Sequence, residues 1–200
     1  MVTSLGKPET LDRTEIARHL LQADECALVV IDIQERLLPK MFNGQEVGRN
    51  AQLLVRLAKI LDVPIVVTTQ YAKGLGPTIP ELTTLLPGAR HIDKLEFNAC
   101  SDAGVAAAIK ALPANRNTLL LCGMEAHVCV LQTALGALNQ GYLVHVASDA
   151  IASRVEWNWR MSQDRMRAAG CVISTTEMIM YELLRRSGTP EFKEILQYVK

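Results

Sequence analysis

The strongest chemical signal in the sequence is a cysteine that follows an apolar run and a glycine. Residues 119–122 are apolar, Gly123 interrupts the run, and Cys129 then falls in the predicted first turn of a helix. Backbone N–H groups and the helix dipole stabilise a thiolate in such a position, so we expect Cys129 to be more acidic than a free thiol. Cys129 is therefore a candidate nucleophile; the alternative is a buried packing residue.

A single carboxylate, Asp32, lies within the first apolar run of the chain, at residues 28–34. An isolated charge is expensive to bury, so Asp32 needs a partner or a chemical task. At a strand end it could accept the thiol proton of Cys129 and later return it to a leaving group. The alternative is that Asp32 caps a helix over residues 35–38.

A lysine, Lys94, follows the third apolar run, where the predicted strand ends. Lysines usually lie on the surface, but a Lys94 turned inward would favour the ionised forms of Cys129 and Asp32. Three strand ends would then supply an acid–base group, a cation and a nucleophile.

Several other residues are weaker candidates. Gln70 and Tyr71 follow the second apolar run and could line a substrate-binding pocket. Cys100 is a rival nucleophile at a predicted helix start, although no strand and turn lead into it. Trp157 and Trp159 could wall a site, anchor a subunit interface or serve packing alone.

The histidines and cysteines give no indication of a metal. The four histidines form neither an HExxH motif nor an i, i+4 pair, and the five cysteines include no CxxC pair. Their odd number and wide spacing favour reduced thiols over disulfides. We therefore predict neither a metal site nor another cofactor.

Apolar runs rich in β-branched residues alternate with helical patterns, which is typical of βα units and a mostly parallel sheet. Strands are predicted over residues 26–33, 65–69, 89–93, 118–122, 143–148 and 171–174. Helices are predicted over residues 46–61, 99–111, 126–139, 157–169 and 175–185. In such folds functional groups gather after the carboxyl ends of strands, which here include the loops at 70–80 and 149–157.

Both ends of the chain are expected to pack on this framework. Residues 1–25 form a predicted N-terminal appendage, in which Thr14 would cap a helix through Leu21. Residues 190–199 form a short amphipathic segment that either covers the sheet or contacts another subunit.

Composition narrows the kind of ligand. A chain of 200 residues can bury a sizeable core, and we treat residues 1–200 as one domain. With 21 basic and 21 acidic residues, no nucleic-acid surface is indicated. No run reaches the roughly 18 apolar residues of a membrane helix, and residues 1–23 lack a secretory signal. We expect a cytoplasmic protein, without a membrane partner, that binds a small-molecule substrate.

The motifs resemble those of the isochorismatase-like cysteine hydrolases. Asp32, Lys94 and the segment Gly123-Met-Glu-Ala-His-Val-Cys129 match the three catalytic positions of that superfamily in order, and the similarity covers about residues 26–176. Residues 67–81, which include Gln70 and Tyr71, are similar to the branch called isochorismatase-domain-containing proteins.

The resemblance implies a Rossmann-like three-layer α/β/α sandwich whose six-stranded, mostly parallel sheet has the order 3-2-1-4-5-6. It also implies a cis peptide bond between Met124 and Glu125, with the N–H groups of Glu125 and Cys129 aimed at an oxyanion. Cys129 would attack a carbonyl carbon, Asp32 would carry the proton, an amine would leave, and water would release the acyl-enzyme. Because the family commonly forms dimers or tetramers, a homo-oligomer is expected.

Two departures from the superfamily narrow the activity. Nicotinamidases carry an aspartate and metal-binding histidines after the second strand, where this chain has Gln70 and no histidine before Gly76. Isochorismatases lack the nucleophilic cysteine, so Cys129 argues against vinyl-ether hydrolysis. The resulting hypothesis is a metal-independent hydrolase of a small amide or related C–N bond. The alternatives are a catalytically weak, oligomeric binding scaffold and a thiol redox protein in which Cys129 forms a sulfenic acid.

Overall fold

The computed structural model describes residues 19–89 and 91–199. The start of the helix predicted from Thr14 lies outside the described residues, and so does most of the predicted appendage. At its described end, His19, Leu20 and Leu21 are not helical.

Six strands form a parallel sheet in the order β3-β2-β1-β4-β5-β6, which confirms the predicted fold class and strand order. The strands are β1 (Cys26–Ile31), β2 (Ile65–Gln70), β3 (His91–Lys94), β4 (Thr118–Met124), β5 (Leu143–Ala152) and β6 (Val172–Ser174).

Helices connect the strands on both sides of the sheet. The α-helices of the described residues are α1 (Gly44–Ile60), α2 (Ala72–Leu75), α3 (Pro80–Leu85), α4 (Ala103–Lys110), α5 (Leu131–Asn139), α6 (Glu156–Ala169), α7 (Thr176–Leu184) and α8 (Pro190–Ile195).

The sheet separates two apolar layers because successive strand residues point to opposite faces. Leu28 and Val30 of β1 belong to the layer that contains α1, α7 and α8. Val29 and Ile31 belong to the layer that contains α4, α5 and α6. Strand β1 is buried along its whole length, as expected for a central parallel strand that is covered on both faces.

Strands β1 and β4 each end two residues from the predicted position, and both differences lie next to the candidate site. Strand β1 ends at Ile31, two residues early, because Asp32 adopts a left-handed backbone with φ of 54°. Strand β4 continues through Gly123, where φ is 125° and a Cβ would lie 1.9 Å from the Ile31 carbonyl oxygen. The backbones of β1 and β4 therefore approach closely at Gly123, which requires a glycine.

Two predicted helices are interrupted at their starts. The helix predicted over 99–111 is a 3₁₀ turn (Ala99–Ser101) followed by α4, because the Asp102 carboxylate caps α4 at the N–H groups of Gly104 and Val105. The helix predicted over 126–139 begins with a π-helical turn (Ala126–Val130) that precedes α5. Single π turns are frequent at functional sites.

The C-terminal segment packs on the apolar layer that covers one face of the sheet, which is one of the two roles left open by its sequence. Ile195 is fully buried in the layer that contains α1, and Phe192 packs against the same layer.

Elsewhere, β5 extends to Ala152, so the predicted loop at 149–157 begins as a strand. Within the described ranges, no helix is long and apolar enough to cross a membrane.

Candidate functional site

Four neighbouring strands bring polar side chains to the carboxyl edge of the sheet. Asp32 directly follows β1, Gln70 ends β2 and Lys94 ends β3. Cys129 lies in the π-helical turn that follows β4. Because these strands are parallel and adjacent, their ends meet at one edge, and the three residues of the predicted triad lie together.

The Asp32 and Lys94 side chains form a completely buried ion pair. Lys94 Nζ lies 2.7 Å from Asp32 Oδ2, and both side chains have 0% exposure. Thr68 Oγ1 donates to the other carboxylate oxygen at 2.7 Å. The predicted alternative, in which Asp32 caps a helix over 35–38, is wrong: residues 35–37 form a turn before a 3₁₀ helix (Leu38–Lys40).

Gln70, which we had expected only to line the pocket, is hydrogen-bonded to the ion pair. Its Oε1 accepts a hydrogen bond from Lys94 Nζ at 2.8 Å, and its Nε2 donates to the Leu95 carbonyl oxygen at 2.9 Å. The same Oε1 lies 3.9 Å from Cys129 Sγ, within range of a weak S–H hydrogen bond. Gln70 thus joins the ion pair to the thiol.

Gln34 is a structural residue of the site that the sequence analysis missed. Its fully buried side chain accepts from the Gln70 N–H at 2.8 Å. Its Nε2 donates to the Gln70 and Gly76 carbonyl oxygens at 3.1 and 2.7 Å. An uncharged polar residue inside the first apolar run was the available signal, since a buried amide must be hydrogen-bonded.

Tyr71 lies at the rim of the site. Its backbone is left-handed, with φ of 43°, and its N–H donates to the Lys94 carbonyl oxygen at 3.0 Å. The ring lies over Gly74, where a Cβ would come within 2.4 Å of it. Since 49% of Tyr71 is exposed, this side chain is available to a ligand.

The surroundings of Cys129 favour its thiol form, which contradicts our prediction of an acidic cysteine. Burial raises the pKa of Cys129 to about 12, and the negative charge of Asp32 acts in the same direction. The Lys94 ammonium and a backbone hydrogen bond from Glu125 lower this pKa, but they do not compensate. The prediction considered the helix start and the Lys94 charge, but not the burial of Cys129, which has 5% exposure, or the effect of the neighbouring Asp32 carboxylate.

The peptide bond between Met124 and Glu125 is cis, as the resemblance implied. The Glu125 carboxylate accepts hydrogen bonds from the N–H and Nε of Arg154 at 3.2 and 3.0 Å. In the following turn, His127 Nδ1 lies 3.0 Å from the buried Ser153 hydroxyl. These contacts tie the turn that carries Cys129 to the end of β5, and we had not anticipated them.

The rival candidates do not join this group. Cys100 is buried in an apolar layer, its sulfur donates to the Thr133 carbonyl oxygen at 3.8 Å, and burial raises its pKa to about 11. Trp159 packs within the same layer and donates to the Ser148 carbonyl oxygen at 3.0 Å, whereas Trp157 is exposed. All five cysteines are free and buried. In the part of the chain that the structure describes, no cluster of three histidine, cysteine or acidic side chains could hold a metal ion.

Comparison with known proteins supplies the family. The Isochorismatase domain model matches residues 26–178, which is most of the chain. The chain belongs to the isochorismatase family. This confirms the resemblance inferred from the motifs, and it supports hydrolysis as the general class of activity.

Relatives extend over nearly the same length. The secreted isochorismatase effector Isc1 of Phytophthora sojae is 39% identical, with 86% of this chain and 83% of that protein covered. Isochorismatase domain-containing protein 2 of Rattus norvegicus is 36% identical, with 86% and 80% covered. The similarity to the isochorismatase-domain-containing branch is therefore confirmed.

Solved structures share the fold. MAR1 ribonuclease from Caenorhabditis elegans has a TM-score of 0.83 at 33% identity and covers 90% of this chain and 92% of its own. YcaC from Pseudomonas aeruginosa, with hexane-2,5-diol and covalent acrylamide, has a TM-score of 0.84 at 28% identity with the same coverage. YcaC from Escherichia coli, an octameric hydrolase of unknown specificity, has a TM-score of 0.83 at 28% identity and covers 90% of each chain.

Proposed function

We propose that this protein is a cysteine hydrolase that cleaves a small amide or related C–N substrate through an acyl-enzyme on Cys129. The observation that carries the proposal is the Asp32–Lys94 ion pair, which is completely buried beside the Cys129 sulfur. Burying two charges costs several kcal/mol per ion before pairing, and apolar residues of similar volume often stabilise a fold as well or better. A chemical task for the pair is therefore the better account.

The resting thiol defines the first step. Because burial and Asp32 raise the pKa of Cys129, the sulfur needs a base at the moment of attack. The Asp32 carboxylate takes the thiol proton while Sγ bonds to the carbonyl carbon. Asp32 then delivers that proton to the leaving nitrogen, the C–N bond breaks and the amine departs.

The second half of the cycle is hydrolysis of the thioester. Asp32 takes a proton from water as the water oxygen bonds to the acyl carbon, and the Cys129 sulfur leaves and regains a proton. Lys94 keeps the carboxylate oriented and compensates its charge. The N–H groups of Glu125 and Cys129 stabilise the oxyanion, a contribution commonly worth about 3–4 kcal/mol per donor.

Two relatives support parts of this proposal. YcaC from P. aeruginosa carries covalent acrylamide, which supports a reactive nucleophile in a protein of this fold. The octameric E. coli relative supports a homo-oligomeric state. One C. elegans relative is called a ribonuclease, but the balance of 21 basic and 21 acidic residues here favours a small substrate over a polyanion.

The redox alternative is disfavoured by the same pKa. Oxidation to a sulfenic acid requires thiolate character and exposure, whereas Cys129 is buried and its pKa is raised. A binding scaffold without turnover remains the competing function, and it is separated from a hydrolase by the following experiment.

The test is a screen of small primary amides and ureides, with mass spectrometry of the Cys129 peptide to detect the acyl adduct. Cys129→Ala should abolish turnover, Asp32→Asn should lose nearly as much, and the double variant should be scarcely worse, since the two residues act as one unit. Cys100→Ala is the matched control and should retain activity. EDTA should leave the rate unchanged. Turnover by Cys129→Ala, or binding without any adduct across the screen, would contradict the proposal.

A further inference from the structure

Two hydrogen bonds hold the side-chain amide of Gln70 in one orientation, and two more hold its backbone. Its Nε2 donates to the Leu95 carbonyl oxygen and its Oε1 accepts from the Lys94 ammonium. Its backbone N–H and carbonyl oxygen both bond to the Gln34 side chain. A carbonyl oxygen donates no proton and an ammonium accepts none, so a flipped amide would lose both side-chain bonds. Gln70 therefore presents an acceptor, and not a donor, to the site.

The Oε1 atom of Gln70 has a second lone pair beyond the one that accepts from Lys94, and the Cys129 sulfur lies 3.9 Å from this oxygen. When a carbonyl carbon bonds to this sulfur, the leaving nitrogen is two bonds from Sγ, and at this Sγ–Oε1 distance it comes within hydrogen-bond reach of Gln70 and of Asp32. The leaving group thus meets one proton donor, protonated Asp32, and one neutral acceptor, Gln70.

We infer that Gln70 makes the site selective for amides over esters, because Oε1 accepts an N–H of the leaving amine as the C–N bond breaks. The inference rests on the proposed function. In this step Sγ–C forms and C–N breaks, Asp32 delivers the proton taken from Cys129 to the nitrogen, and Gln70 neither gains nor loses a proton. An amine nitrogen that acquires positive charge donates more strongly, so the bond tightens in the transition state.

Esters lack the group that Gln70 recognises. The leaving oxygen of an ester has lone pairs and no proton of its own, so it faces the Gln70 oxygen with a repulsive contact instead of a hydrogen bond. Sites that are built to hydrogen-bond an N–H or O–H discriminate strongly against analogues that lack it.

The experiment uses three acetyl probes with related leaving groups: p-nitroacetanilide, which has one N–H, its N-methyl derivative, which has none, and p-nitrophenyl acetate. Gln70→Met preserves side-chain length and removes the acceptor. The matched control is Gln52→Met, the same change at a half-buried glutamine of α1 whose Nε2 donates to the Gly48 carbonyl oxygen. The ester burst counts competent sites, so all rates are expressed per acetylated Cys129.

Gln70→Met should lower kcat/KM for the anilide about 10- to 100-fold more than for the ester, the range expected for loss of one charge-assisted hydrogen bond. Wild-type protein should cleave the anilide at least about 10-fold faster than its N-methyl derivative, and the variant should lose that preference. Gln52→Met should behave as wild type.

Equal losses for anilide and ester would overturn the inference, because Gln70 would then act only by positioning Lys94. If Gln70→Met gives no ester burst, the inference is tested on the wild-type protein alone. A wild-type preference below about threefold for the anilide over its N-methyl derivative then overturns the inference. Absence of any acetyl adduct on wild-type Cys129 is a different result, since it contradicts the proposed function itself.

Discussion

At the scale of single residues, Cys129 is subject to opposing influences. Burial and the Asp32 charge raise its pKa, while Lys94 and the Glu125 backbone N–H lower it. The thiolate is therefore unfavourable at rest, and it becomes accessible only together with transfer of the proton to Asp32. Cys129 need not be acidic to react, because Asp32 keeps the thiol protonated at rest and also accepts its proton during the attack.

Asp32→Asn should therefore make Cys129 more acidic and the protein less active. Wild-type Cys129 should be half-labelled by iodoacetamide well above the free-thiol pKa of about 8.5, and the variant should be half-labelled at lower pH. The measurement is alkylation of the Cys129 peptide against pH, read by mass spectrometry. Asp164→Asn, which removes an exposed carboxylate that is paired with Arg167, is the control and should leave the midpoint unchanged. A midpoint that stays the same or rises in Asp32→Asn would show that the carboxylate does not influence the thiol.

At the scale of elements, the site depends on the close approach of β1 and β4. Ile31 of β1 pairs with Gly123 of β4. Along the chain, Asp32 comes directly after Ile31, and the turn that carries Cys129 comes shortly after Gly123. Strand β4 also pairs with β5, in two parts that are separated by an irregularity in register between Leu121 and Gly123. The second part ends at the pair of Met124 and Ala152. The distance between carboxylate and thiol is thus set by the sheet and not by a flexible loop.

Gly123→Ala should be severely destabilising. The new Cβ would lie 1.9 Å from the Ile31 carbonyl oxygen, and φ is 125°, which an alanine rarely adopts. We expect a loss of at least about 3 kcal/mol in the free energy of unfolding, or failure to fold, measured by urea denaturation. Gly141→Ala is the matched control, since Gly141 also has positive φ, 89°, but nothing within 4 Å of its Cβ position. Its cost should be about 1 kcal/mol, from the backbone alone. Equal costs for the two variants would contradict the role of the close approach.

At the scale of the whole molecule, one buried histidine couples stability to pH. His145 lies in β5 with 4% exposure, and its Nδ1 has no hydrogen-bond partner. Burial lowers the pKa of His145 from 6.5 to about 4, so the folded state favours the neutral ring. The unfolded chain therefore binds the proton first as the pH falls.

His145 should contribute stability that is fully present above pH 6.5 and is lost progressively as the pH falls to about 4. The shift corresponds to roughly 3 kcal/mol. His145→Leu should reduce the fall in the free energy of unfolding between pH 7 and pH 4 by about that amount, as measured by urea denaturation at each pH. His19→Leu removes an exposed histidine and should keep the wild-type slope. An unchanged slope in His145→Leu would refute the coupling.

Exposed apolar side chains support the expected homo-oligomer. Leu20, Met178 and Tyr181 line an open groove of about 510 Å³ along α7. Trp157 and Val155 are 66% and 55% exposed. Large exposed apolar groups mark interaction surfaces, and the E. coli relative is an octamer. Light scattering at micromolar concentration should give a mass that is a multiple of the 22.0 kDa chain. A monomer at this concentration would contradict the prediction.

The sequence by itself determined the alternation of strands and helices, since apolar runs and glycine breaks are local signals. The positions of Asp32, Lys94 and Cys129 after apolar runs indicated one group, and the motif resemblance added the strand order and matched these residues to the catalytic positions of the superfamily. Strand and helix ends were less accurate, because Asp32, Asp102 and Gly123 act through backbone geometry and capping that depend on neighbouring segments.

The tertiary structure decided everything that depends on contacts between distant segments. Gln34 and Gln70 are 36 residues apart, and their hydrogen bonds exist only because β1 and β2 pair in one register. The acidity of Cys129 was misjudged for the same reason: a helix start is a local feature, but burial and the distance to Asp32 are set by the packing of four strand ends. Local sequence fixes which groups are available, and packing fixes their solvation and partners, which decide their chemistry.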